Sequence, residues 1–113
     1  MTADERLVEE LKAIAHPLRF RILRALRGSE LNVGEIDDVA AIGQPALSQQ
    51  LGVLRKAGLV ETRKDAKLVY YKLSSDRLTE IGDAIQVLVD QDKASTGYAK
   101  RPSPGAANFA RLS

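Results

Sequence analysis

A chain of 113 residues, 44% apolar and 28% charged, suits one soluble domain with a modest core. It contains no cysteine, which excludes disulfides, thiolate metal sites and cysteine redox switches. The formal charge of +2 is uneven: residues 93–113 carry Lys93, Lys100, Arg101 and Arg111 and no acid, so the rest of the chain is slightly acidic.

Residues 4–15 have helical spacing. Leu7, Leu11 and Ile14 share a stripe, with Val8 and Ala15 beside it, and Asp4 and Glu5 suit the positive end of the helix dipole. The start is acidic and amphipathic, without the apolar region of a secretory signal. No apolar run approaches the ~18 residues of a membrane span. A cytoplasmic protein with no membrane partner is expected.

His16-Pro17 interrupts the pattern, because proline suits the first position of a new helix and disfavours helix in the residue before it. Residues 17–27 form the second helix, with Leu18, Ile22 and Leu26 inward, Phe20 and Leu23 widening the stripe, and Gly28 as the stop. Residues 33–40, VGEIDDVA, form a short third helix with Val33, Ile36 and Val39 inward. Its acids Glu35, Asp37 and Asp38 read as a solvated face.

AIGQP turns the chain into the fourth helix, with Pro45 at its first position and Gly43 or Gln44 at the cap. Leu47, Leu51 and Leu54 give it an apolar face. Gly58 ends it, since glycine takes the left-handed conformation at little cost. The opposite face begins with uncharged hydrogen-bonding groups rather than the usual Glu and Lys. Residues 59–64 and 68–73, LVETRK and LVYYKL, are two strands of a hairpin around Asp65-Ala66-Lys67. Residues 44–72 hold six bases against Glu61 and Asp65.

Ser74-Ser75-Asp76 offers caps for a last helix to about Asp92, in which Leu78, Ile81, Ile85 and Leu88 make a heptad-like seam. That seam suits either core packing or a partner helix. Periodicity then stops. Residues 1–92 are expected to form the domain, and residues 93–113 a flexible basic tail.

This order is mainly α with a β-hairpin, that of a winged helix-turn-helix. A helix in the major groove needs side chains that donate to and accept from base edges, and Gln and Ser do both. Gln44, Ala46, Ser48, Gln49 and Gln50 are therefore the expected base contacts. Arg55, Lys56, Arg63, Lys64, Lys67 and Tyr70 are the expected contacts to the DNA backbone, which strengthen binding but carry little sequence information. One of Tyr70 and Tyr71 belongs to the core, because strand alternation sends them to opposite faces.

Four blocks, AIAHPLRFRILRAL, ELNVGEI, GQPALSQQLGVLRKAGLV and TRKDAKLVYYKL, occur in this order at short separations. Over residues 5–90 the chain resembles the ArsR/SmtB family of dimeric winged-helix repressors, including its sulfide- and redox-sensing branch. The resemblance implies a homodimer built from the first and last helices, through Leu7, Leu11, Ile14, Leu78, Ile81, Ile85 and Leu88. It also implies binding of double-stranded DNA at an inverted repeat and repression released by an inducer. The inducer is unknown. Asn32 and Gly34 stand where the arsenic and cadmium sensors carry cysteines. Glu80, Asp83, Asp90 and Asp92 make an all-carboxylate set, poor for zinc. His16 reads as a helix cap. No metal and no other cofactor is expected. There is no nucleophile–base pair or phosphate loop, so an enzyme is not expected. The alternative function is a winged helix that docks on protein without reading DNA.

Overall fold

The structure is a computed structural model that describes residues 1–96, with side chains described through residue 89. Residues 1–81 form one unit, and a second begins at Gly82.

Helix α1 spans Ala3–Ile14. Thr2 caps it: its hydroxyl accepts from the Glu5 N–H, and the Glu5 carboxylate accepts from the Thr2 N–H. This reciprocal box satisfies two N–H groups that the first turn leaves over. Helix α2 spans Pro17–Ala25, shorter than expected. His16 is its cap, with Nδ1 accepting from the Leu18 N–H at 3.1 Å. Ile22, Leu23 and Leu26 enter the core, whereas Phe20 stays outside beside the Arg24 guanidinium, 47% exposed.

Residues Leu31–Asn32 form a short strand, β1, that periodicity does not reveal. Asn32 then caps helix α3, Val33–Ala40, in a second capping box with Glu35. Ile36 is fully buried and Ala40 nearly so, but Val39 is 64% exposed. The expected inward role of Val39 is corrected here: three and four residues on from Ile36 both continue its face, and the neighbouring elements cover Ala40 but leave Val39 open.

Asp37 also departs from expectation. It is not merely part of a solvated acidic face: its Oδ1 accepts from the N–H groups of both Ile42 and Gly43, each at 2.9 Å. These bonds fix the turn between α3 and the next helix. Ala41 closes α3 in the left-handed conformation, and Gly43 is also at positive φ. The Gly43 N–H, and then that of Ile42, hold the Asp37 carboxyl below its ordinary value. Since the folded pKa lies below the unfolded one of about 3.9, the stabilisation is complete above about pH 4. It is lost as pH falls through the lower folded value. Asp37→Asn should therefore flatten the fall of the thermal midpoint as pH drops below about 4. A titration series of melts tests this, and an unchanged acid limb would count against it.

Helix α4 spans Ala46–Lys56. Pro45 stands at its cap, one position earlier than expected. The C-terminus closes as a Schellman motif: Leu59 N–H donates to the Leu54 carbonyl and Gly58 N–H to the Arg55 carbonyl, both at 3.0 Å, with Gly58 at φ +80°. Leu47, Leu51, Leu54 and Leu59 are buried and form the centre of the core with Ile22, Leu26 and Ile36.

Strands β2 (Val60–Asp65) and β3 (Leu68–Leu73) make the expected hairpin, with Asp65 opposite Leu68. Strand β1 adds antiparallel to the other edge of β3, giving a three-stranded sheet in the order β1-β3-β2. Helix α5 spans Ser75–Thr96, so it runs past the expected end at Asp92. The remainder of the expected tail lies outside the described residues.

Candidate nucleic-acid interface

The helix-turn-helix consists of α3, the turn held by Asp37, and α4. The three leucines of α4 are buried, so the helix keeps one face on the core and turns the other outward. Ser48, Gly52 and Arg55 follow at helical spacing up the outer face, with Gln49 and Lys56 beside them, and all five are exposed. Among the described residues, the side chains of Ser48 and Gln49 have no hydrogen-bond partner within the chain.

The other three candidate base contacts have different surroundings. Gln44 is exposed, but its Oε1 accepts from the Ser48 N–H at 3.1 Å, satisfying a leading amide of α4. Gln50 is half-buried, and its Oε1 accepts from the Arg19 guanidinium at 2.7 Å. Ala46 is half-buried. Of the five candidate base contacts, only Ser48 and Gln49 thus have wholly uncommitted polar groups.

Arg63 is committed as well. Its guanidinium donates to Glu30 at 2.9 Å, lies 3.6 Å from Asp65 and covers the Tyr70 ring at 4.8 Å. Its hydrogen bond to the Glu30 carboxylate is the main cause that raises its pKa above the ordinary arginine range. Lys72 pairs with Glu61 across the strands at 3.8 Å. Lys64 and Lys67 at the hairpin tip, and Arg55 and Lys56 at the end of α4, are exposed cations without an acidic partner among the described residues. Tyr71 packs against the core, which leaves Tyr70 on the other face beneath Arg63.

Leu7, Leu11, Ile14 and Leu78 are half-buried against the core, and Ile81 is buried within it. In the second unit, Ile85 and Leu88 are exposed, Leu88 by 70%, as are Val87 and Val89. Glu10 is a buried charge that apolar periodicity does not reveal. It is 2% exposed and accepts from Arg77 Nε and Nη2. Among the described residues no group of three or more His, Cys, Asp or Glu is arranged to hold a metal ion. Among the described residues no helix is long and apolar enough to cross a membrane.

A helix-turn-helix domain model matches residues 14–63, the segment from the end of α1 to β2. Over 78 residues the chain is 44% identical to the biofilm growth-associated repressor of Agrobacterium fabrum, covering 69% of this chain and 67% of that one. It is 47% identical over 78 residues to the transcriptional activator HlyU of Vibrio cholerae, covering 69% of each. Among solved structures, the transcriptional repressor BigR from Xylella fastidiosa aligns with a TM-score of 0.61 at 36% identity, covering 78% of this chain and 96% of that chain.

Proposed function

The chain belongs to the ArsR/SmtB family of winged-helix transcriptional regulators, and on that premise we propose that it regulates transcription as a homodimer that binds a specific inverted repeat. One observation carries the reading of the site: Ser48 and Gln49 stand uncommitted and exposed at the start of α4. Amide and hydroxyl groups there can donate to and accept from base edges, and a helix-turn-helix makes its base contacts with this part of its second helix. Lys64, Lys67, Arg55 and Lys56 serve the phosphates. Two chains associate through α1 and α5, where Ile85 and Leu88, exposed among the described residues, supply an apolar ridge. Relatives include a named repressor and a named activator. This chain acts as a repressor, by occupying its site. Docking on protein is not favoured, because it gives the free amides of α4 no comparable task.

The test is enrichment of duplexes from a randomised pool with the full chain, followed by the mass of the bound complex and transcription from a template bearing the enriched site. An inverted-repeat consensus, two chains per duplex and reduced transcript are expected. Ser48→Ala or Gln49→Ala should alter the preferred bases, whereas Lys67→Ala should weaken all duplexes alike. Equal affinity for every duplex would overturn the proposal.

Gly52 gives a separate check. A Cβ at this position meets nothing within 4 Å in the free chain, and glycine inside a helix costs about 1 kcal/mol relative to alanine. Gly52→Ala should raise the thermal midpoint by roughly 4–8 °C. If DNA lies against this face, the added methyl group also lowers affinity for the enriched duplex, by about tenfold. A stabilised chain with undiminished affinity would show that the duplex does not approach Gly52.

A further inference from the structure

Outside the exposed face of α4, α1, α2 and α4 meet at one guanidinium. Helix α1 ends at Ile14, and the carbonyls of its last turn need donors from elsewhere. Continued helix would give the Ala13 carbonyl the N–H of residue 17, but that residue is Pro17, which has none. The His16 N–H, which would have served Lys12, donates instead to the Ile14 carbonyl at 2.8 Å. Two carbonyls are left over, and Ala13 is only 7% exposed, so water reaches it poorly. Arg19, in the first turn of α2, serves both: Nε donates to the Ala13 carbonyl at 2.6 Å and Nη2 to the Lys12 carbonyl at 3.4 Å. Its remaining nitrogen, Nη1, donates to Gln50 Oε1 on α4 at 2.7 Å.

We infer that Arg19 is a positioning residue for DNA reading: it fastens the end of α1 to the flank of α4 and withdraws Gln50 from base contact. The inference rests on the proposal that α4 reads DNA. A planar guanidinium with donors on three nitrogens matches three fixed acceptors from two helices, which the compact ammonium of lysine cannot do. Gln50 is one step of about 100° around the helix from Gln49, off the ridge of Ser48, Gly52 and Arg55. Its carbonyl steadies the helix, while Ser48 and Gln49 do the reading. Any displacement of the end of α1 is carried through this fork to α4, so the helix proposed for self-association and the helix proposed for reading move together.

Gln50→Glu separates a clamp from a base contact. A carboxylate still accepts from Arg19, and more strongly, because the bond becomes charge-assisted. The full chain carrying Gln50→Glu should therefore enrich the same consensus from a randomised duplex pool. Its ratio of affinity for consensus over a scrambled duplex should stay within about threefold of the unmodified chain. Its thermal midpoint should be no lower. Arg19→Ala and Gln50→Ala should each lower that ratio about tenfold, the double change no further than Arg19→Ala alone, and Arg19→Lys should recover only part.

A changed base preference or a collapsed ratio in Gln50→Glu would overturn the inference, as would additive losses in the double change. If the unmodified chain enriches no consensus, the DNA-reading proposal fails instead. The clamp is then judged by melting: Gln50→Glu must stabilise the chain when Arg19 is present and not in Arg19→Ala.

Discussion

Gln49→Glu should weaken binding to the enriched duplex roughly 100-fold while leaving the fold intact. Gln49 is exposed on α4, and its side chain makes no hydrogen bond among the described residues; Glu and Gln have similar helix propensity. The thermal midpoint should therefore barely move. The binding loss has two sources. One is the bidentate pairing to a base edge, worth about 1–3 kcal/mol, since a carboxylate accepts but cannot donate. The other is like-charge repulsion from the phosphates, which is strongest at low salt. Any remaining preference should move towards cytosine, whose amino group can donate to a carboxylate. Anisotropy titrations at two salt concentrations check both parts. Unchanged affinity and consensus would remove Gln49 from the interface and leave Ser48 as the only wholly uncommitted candidate.

Arg77→Ala should produce the largest loss of stability. Glu10 lies on a stripe of α1 that also holds Leu7, Leu11 and Ile14, yet its carboxylate is 2% exposed. It accepts from Arg77 Nε and Nη2, with Arg6 3.5 Å away, and Arg77 also reaches Glu80 one turn along α5. The bidentate bond to Glu10 is the main cause that holds the pKa of Arg77 above its ordinary range. Without Arg77, the buried Glu10 carboxylate keeps only the single, exposed Arg6 as a charged partner among the described residues and loses its bidentate bond, which is strongly destabilising. For a domain of this size the thermal midpoint should fall by roughly 10–20 °C. Replacing both residues with methionine should cost far less, because no charge remains to be solvated. A melt of Arg77→Ala within a few degrees of the unmodified chain would show that water or Arg6 compensates.

These contacts mark where the sequence stops being informative. The helices were legible because their leucines and isoleucines recur at helical spacing, and the hairpin was legible from its aromatic and β-branched residues. Strand β1 was not: two residues carry no period, and they become a strand only by pairing with Tyr70 and Tyr71 far along the chain. Phe20 and Val39 were misplaced for the opposite reason. Each satisfies an apolar pattern, but the neighbouring elements do not extend to cover it. At the interface, residue type and helical spacing put Ser48 and Gln49 on the outer face. They could not show that Gln44 accepts from the Ser48 N–H, that Gln50 is bound to Arg19, or that Arg63 finds Glu30. Those roles depend on partners 4, 31 and 33 positions away. Pro17 did offer a clue to Arg19. A proline four residues after Ala13 removes that carbonyl's donor, and an arginine two residues later is within reach of it.

The two bonds made by Asp37 have a bearing on engineering. A designer wishing to graft α4, the helix proposed to read DNA, onto another scaffold would naturally cut at the turn and take residues 43–56. That excerpt would lose its entry angle, because the oxygen that gathers the Ile42 and Gly43 amides belongs to the preceding helix. The smallest transplantable cassette begins no later than residue 37.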